Sequence, residues 1–300
     1  MTSLALVALL QSVISVEAGL VNHVEGVVNV RVNENVAAGV PIRAGENGFV
    51  EILLNPGSFL RLGENSEAVL EGTELADIQV RLVSGAMVLE AADVPEAYPI
   101  TVTTGDLRTA IFHDGVYKFE GGRATVLKGK LGLPNSDLAW KSGWSVYFDR
   151  VHRAAEVAPQ AVATNLERWS AARAGVVARA NAQAYRSLTA TRTTYADTFE
   201  RSWLWLPNVG AWTFFPVGRY QSPYGYRYYS RDDLIWYLRS QRTASSGSSG
   251  GGGASTRGTA AQPPQDSSSG GGGSGAPSAP APTFRDIVPA RNGPATQQPN

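Results

Sequence analysis

From Leu20 to Phe148 the chain is a run of short β-type segments cut at close intervals by glycine. Val28, Val30 and Val32 alternate with Asn29 and Arg31. Phe49 to Leu54, Phe59 to Leu62, Ala68 to Leu70, Ile78 to Leu82 and Met87 to Leu89 follow. Ile100 to Thr103, Thr109 to Phe112, Val116 to Phe119 and Ala124 to Leu127 complete the main series. Period-two alternation of β-branched and polar residues predicts strands with one buried face. Glycines such as Gly57, Gly85 and Gly115 stand between them, where tight turns demand positive φ. Strands this short and this regularly spaced predict a mainly β fold, solenoid-like or sandwich, over residues 19–150. Arg61 and Glu71 fall on the outward face and are expected to be solvated.

The pattern changes at Ala155. Residues 155–190 are alanine-rich, with Val162, Leu166, Trp169, Val176, Ala180 and Ala184 at helical spacing. Glu167, Arg168, Arg173, Arg179 and Arg186 lie mostly off that stripe, and Pro159 suits a first helical turn. The stripe is thin, so the helix is expected to pack on the β domain or on a partner. Residues 195–242 form an aromatic-rich region: thirteen aromatics lie between Phe199 and Arg239, broken by Pro207, Pro216 and Pro223, with a short helix expected over Arg231 to Arg239. Residues 243–300 are Gly, Ser, Pro, Ala, Thr and Gln, a composition that cannot offset its ordering entropy and predicts a disordered tail.

Charge and cysteine content exclude several functions. The 26 basic and 26 acidic residues balance, which removes the electrostatic reason to track along nucleic acid. With no cysteine there are no disulfides, thiol nucleophiles or thiolate metal sites. Met1 to Val16 is uncharged and mostly apolar, shorter than the roughly 20 residues of a membrane span. Small or apolar residues in Ser15-Val-Glu-Ala18 suit a signal peptide over residues 1–18, cleaved after Ala18. No later stretch is apolar enough to cross a bilayer, so the mature chain is expected outside the cytoplasm, periplasmic or secreted, without a span.

Catalytic chemistry finds little support. His23, His113 and His152 are far apart, and none makes a helical metal pair. His113-Asp114 has no nucleophile elbow to serve. Glu46, Glu51, Glu64, Glu67, Glu71 and Glu74 read as a solvated face rather than as a glycosidase pair. No catalytic, cofactor-binding or metal-binding residue is assigned, and no enzyme activity is expected; a hydrolase using His113, Asp114 and the glutamates is the weakest alternative. Aromatic residues most often serve burial, so the aromatic region is read first as intramolecular packing. If it presents a surface, Trp205, Trp212, Tyr224, Tyr226 and Tyr228 are its candidate ligand-binding residues, with the three tyrosines on one strand face.

The β region resembles the FecR-like domain of bacterial cell-envelope proteins. Gly26-Val-Val, Gly39-Val-Pro-Ile, Gly45-Glu-Asn-Gly-Phe-Val-Glu-Ile-Leu-Leu54, Pro56-Gly-Ser-Phe-Leu-Arg-Leu62 with Ser66, and Val80-Arg-Leu-Val-Ser-Gly-Ala86 follow in the family's order. Pro216 to Ser230, with Ser222-Pro-Tyr-Gly225, looks like tails that accompany such domains in secreted bacterial proteins. The resemblance implies an all-β module outside the cytoplasm and no catalytic residues. The family's regulator branch relays a signal from an outer-membrane transporter to a cytoplasmic σ factor through a transmembrane helix and a cytoplasmic segment ahead of the β domain. Neither is expected here. The chain therefore reads as an exported envelope interaction or scaffold module with an unknown protein or glycan partner; the alternative is a glycan- or peptidoglycan-binding protein using the aromatic region.

Overall fold

The computed structural model describes residues 11–14, 17–149, 152–158, 162–190 and 202–246. β1 (Gln11–Ile14) and β2 (Val21–Glu25) precede β3 (Pro41–Ala44), β4 (Phe49–Leu53), β5 (Phe59–Leu62), β6 (Ser66–Gly72), β7 (Gln79–Ser84) and β8 (Ala86–Ala91). Then come β9 (Ile100–Thr104), β10 (Leu107–Ile111), β11 (Gly115–Glu120), β12 (Arg123–Lys128), β13 (Lys130–Leu133), β14 (Ser136–Lys141), β15 (Trp144–Asp149) and β16 (His152–Val157). Helix α1 (Asn165–Ala190), β17 (Ser202–Leu206), β18 (Ala211–Thr213), β19 (Tyr220–Gln221), β20 (Arg227–Tyr228) and α2 (Arg231–Ser246) complete the order.

Two large sheets face each other. One has the order β14-β13-β10-β9-β7-β6-β3, the other β16-β15-β12-β11-β8-β5-β4-β2. The chain shuttles between them by hairpins: β4–β5, β11–β12 and β15–β16 lie in the eight-stranded sheet, β6–β7, β9–β10 and β13–β14 in the seven-stranded one. β8 crosses singly, so β7 and β9 flank it in the chain and run parallel to each other; among the described residues every other strand pair is antiparallel. Ile52, Leu60, Leu62, Leu89 and Phe119 from one sheet meet Ile42, Leu70, Val80, Val102 and Ile111 from the other in one buried core. The fold is mainly β, a sandwich built by solenoid-like back-and-forth winding.

Three features differ from the sequence reading. Residues 26–40 form turns and isolated bridges, not a strand through Val28, Val30 and Val32. Asn29 diverts the backbone: its amide donates to the Pro41 carbonyl at 2.8 Å, and the Arg43 N–H donates to its Oδ1 at 2.6 Å. Asn33 then adopts a left-handed φ of 68°. The four strands β13 to β16 extend the sandwich beyond the sequence series. Helix α1 starts at Asn165, capped by Thr164, whose Oγ1 accepts from Glu167 N–H at 3.3 Å while Glu167 accepts from Thr164 N–H at 3.1 Å. Pro159 lies outside the described residues, as does the tail beyond residue 246, and α2 continues past Arg239 to Ser246.

The residues read as a leader lie partly inside the described structure. β1 pairs with β17 in a three-stranded sheet, β1-β17-β18. Ala18 is buried and its N–H donates to Thr73 O at 2.7 Å, while Gly19 N–H donates to Leu53 O at 2.9 Å. The remaining residues of 1–18 are outside the described set apart from Glu17, which bridges Glu74. Among the described residues no helix is long and apolar enough to cross a membrane.

Candidate functional site: a buried charge cluster under a helical lid

Alternation along β4, β5 and β8 sends Ile52, Leu60, Leu62 and Leu89 into the sandwich, and therefore sends Glu51, Leu53, Phe59, Arg61, Val88 and Glu90 to the outer face of the eight-stranded sheet. Register places Glu51 directly opposite Arg61, and Glu90 opposite Phe59, one diagonal step from Arg61. The sequence reading put Arg61 on the outward face, and it is there. It is not solvated: Arg61 and Glu51 are both 0% exposed. Helix α1 and the aromatic region cover them. Of the other glutamates, Glu46, Glu71 and Glu74 are exposed, and Glu64 and Glu67 are half-buried.

The lid is held in three apolar patches. Leu166 packs with Val88 and Val116, and Trp169 stacks on Phe49 with centroids 5.0 Å apart. Val177 and Ala178 join Leu53, Phe59, Trp203, Trp212, Phe214 and Tyr228. Ala180, Ala184, Tyr185 and Leu188 meet Leu204, Leu206, Phe215 and Leu234 of the following elements. Gly57, with φ of 108°, lets Phe214 approach: a Cβ there would stand 3.2 Å from its Cζ. The stripe of α1 thus runs through Val177 instead of the half-buried Val176, Arg173 lies on the buried side, and Val162, ahead of the helix, is 89% exposed.

Between sheet and lid the charges pair with one another, although the buried Arg61 Nη2 finds no hydrogen-bond partner among the described residues. Arg61 Nε donates to Glu51 Oε2 at 2.7 Å, and its Nη1 donates to Glu90 Oε2 at 2.7 Å and to Ser170 Oγ at 3.0 Å. Arg173 Nη2 donates to Glu51 Oε1 at 2.8 Å, and Asn22 Nδ2 donates to the same oxygen at 2.8 Å. Ser170 Oγ lies 2.7 Å from the Tyr224 hydroxyl. The Arg61 guanidinium carbon sits 5.1 Å from the Phe59 ring centre and 5.9 Å from that of Tyr224, rings that partly compensate its loss of water. Two carboxylates face two guanidinium groups, so the cluster is neutral as a whole.

Each group feels burial first. Burial pushes the Glu51 carboxyl up, but Arg61 and Arg173 together overcome it and hold Glu51 below the ordinary carboxylate range. Burial also pushes Glu90 up, and there it prevails over Arg61, with the nearby charge of Glu51 adding to the rise. Arg61 stays charged, its pKa raised by Glu90 and Glu51 against the opposing effect of burial. Burial pushes the Tyr224 phenol up to about 12.

The candidate ligand-binding residues are dispersed. Trp212 and Tyr228 are buried in the lid core; Trp212 N–H donates to Asn22 Oδ1 at 2.7 Å, and its indole donates to Asn33 Oδ1 at 2.7 Å. Trp205 is half-buried against Trp212, with centroids 5.5 Å apart. Tyr224 is half-buried in the turn before β20 and joins the charge cluster. Tyr226 is 39% exposed and lies over Gly175 of α1. The three tyrosines do not share a strand face, because Gly225 (φ of 91°) turns the chain and only Arg227–Tyr228 pair as a strand. His113 and Asp114 sit exposed in the turn before Gly115, and His23 lies beside Glu25 at 3.0 Å. Among the described residues no group of three or more His, Asp or Glu side chains could hold a metal ion.

The sequence reading missed the cluster. Its signal was present: Met87-Val-Leu-Glu-Ala91 and Phe59-Leu-Arg-Leu62 are apolar on both faces, the pattern of a sheet covered on both sides.

Comparison with known proteins places the strands that carry it. Residues 41–131, from the start of β3 into β13, match the family model described as FecR protein. Two crystal structures of a candidate anti-sigma factor from Parabacteroides distasonis ATCC 8503, at 2.50 and 1.65 Å, each share 12% identity with the chain at a TM-score of 0.34. The matches cover 44% and 45% of this chain and 63% and 65% of that one, so the chain spans somewhat less than two thirds of those relatives' length. No curated protein sequence matches. Glu51, Arg61 and Glu90 fall within the matched residues, whereas Asn22, Ser170, Arg173 and Tyr224 fall outside them. The chain carries a FecR-like domain, with the lid supplied by segments beyond it.

Proposed function

We propose that this chain is a non-enzymatic, exported module of the bacterial cell envelope, acting as an interaction or scaffold protein. The observation that carries the reading is the closure of the FecR-like sheet by the chain's own helix and aromatic segment over a buried cluster of paired charges. Glu51, Arg61, Glu90 and Arg173 are engaged with one another and shut from water. None is presented to a substrate. A neutral cluster of this kind orients two surfaces against each other, which is the work of a rigid scaffold. The relationship to FecR, whose members act through protein contacts, supports a protein partner, and the uncharged Met1 to Val16 stretch supports export.

Fractionation of the native cell, with N-terminal sequencing of the recovered chain and crosslinking in intact cells, tests this. An envelope or secreted protein beginning near Gly19 and crosslinked to another envelope protein is expected. An intact cytoplasmic chain beginning at Met1 would overturn the reading.

A further inference from the structure

In the three-stranded sheet, Gln11, Ser12, Val13 and Ile14 pair antiparallel with Trp205, Leu204, Trp203 and Ser202. The far side of that sheet is already closed: the Asn22 side chain bonds the Trp212 backbone, accepting from its N–H at 2.7 Å and donating to its carbonyl at 3.4 Å. β17 is therefore the strand whose free edge β1 occupies. Exposed edges are ordinarily blunted by lysine, proline or inward charge. β17 reads Ser-Trp-Leu-Trp-Leu and β18 Ala-Trp-Thr, with no charge and no proline in either. Trp203, Leu204 and Leu206 are buried, so the strand is anchored from behind by the lid core. Gln11–Ile14 falls inside the segment expected to be removed after Ala18.

We propose that the edge of β17 is a strand-acceptor slot, filled by Gln11–Ile14 in the precursor and, once that segment is cleaved, by an extended, uncharged, β-branched segment of a partner protein. The proposal rests on the export reading above. Main-chain hydrogen bonds would supply the affinity, and the side-chain preference opposite Trp203 and Trp205 the selectivity.

The test uses the full chain and a fluorescent peptide of residues 9–16 as probe. In the native full-length protein, the tethered segment competes at an effective concentration of order millimolar. Val13→Pro removes a backbone N–H and the extended φ from β1, which should vacate the slot. The variant is expected to bind the probe at least about tenfold more tightly than the native full chain, given that tethered competitor. Hydrogen exchange should then show new protection confined to residues 202–206. Chain recovered from the envelope with Gly19 at its start should bind the probe as the variant does. A Val13→Pro chain with native circular dichroism that ignores the probe, or protects amides elsewhere, overturns the slot. A chain that keeps residues 1–18 in the cell while Val13→Pro binds the probe would instead defeat the export reading, and with it the partner's access.

Discussion

Arg61→Met removes the centre of the buried cluster while keeping much of its volume. Arg61 is fully buried and gives hydrogen bonds to Glu51, Glu90 and Ser170. The two carboxylates then fare differently. Glu51 keeps Arg173 and Asn22. Glu90 keeps no hydrogen-bond partner among the described side chains, since its bond runs to Arg61. Breaking one side of a buried ion pair typically costs about 3–5 kcal/mol. That is a fifth or more of a typical stability of about 5–15 kcal/mol. Urea unfolding followed by tryptophan fluorescence reads it, because Trp203 and Trp212 lie in the lid core. The loss should depend on pH. Glu90 already has a folded-state pKa above its ordinary 4.5, and losing Arg61 raises it further. A carboxyl raised in this way binds more protons folded than unfolded, so its penalty is absent below 4.5 and grows as pH rises through the folded value. Adding Glu90→Gln removes the stranded charge, so the double variant should recover on the order of 1–3 kcal/mol relative to simple addition. A loss below about 1 kcal/mol, the same at all pH values, would refute the reasoning, since that is what an exposed pair costs.

Three further outcomes are expected. Glu51→Gln should be less stable than the native chain near neutral pH, and the difference should vanish as pH falls below 4.5 through the folded value, because Glu51 is held below its ordinary range and its contribution is lost on protonation; urea midpoints across that range check it. Asn181→Ala strips the lid of three bonds, to the Phe214 and Tyr229 carbonyls and from the Tyr229 N–H, and should cost about 1–3 kcal/mol for each buried group left unmet; thermal unfolding and faster exchange of the Tyr229 amide would show it. Gly57→Ala places a Cβ 3.1 Å from that of Ala92 and 3.2 Å from Phe214 at a φ of 108°, and should lower stability by about 1–3 kcal/mol while leaving circular dichroism native.

Much of the β domain was legible because its strands carry local information. Alternation gave the strands one buried face and put Arg61 on the other, and the structure keeps Arg61 on that outer face. What alternation does not carry is the identity of the cover. Arg61 meets Ser170 across 109 residues of chain, and no local pattern announces that contact. Val28, Val30 and Val32 misled for a physical reason: Asn29 offers the backbone a competing partner, which a hydropathy pattern ignores. β14 and β16 escaped notice because half the residues of Ser136 to Lys141 and of His152 to Val157 are polar and they do not alternate cleanly with the apolar ones, at the edges of their sheets. In the aromatic region, composition indicated burial, but the turn at Gly225 decides that Tyr226 and Tyr228 part company.

The central claim is that helix α1, the aromatic segment and the outer face of the FecR-like sheet form one body, locked by the charge cluster. Native-state hydrogen exchange with mass spectrometry tests it most directly. The account predicts that amides of residues 170–188 and of β5 and β8 exchange with the same opening free energy, and that Arg61→Met lowers both together. Rapid exchange of residues 170–188 while β5 and β8 stay protected would contradict it, showing a lid that opens independently of the sheet it covers.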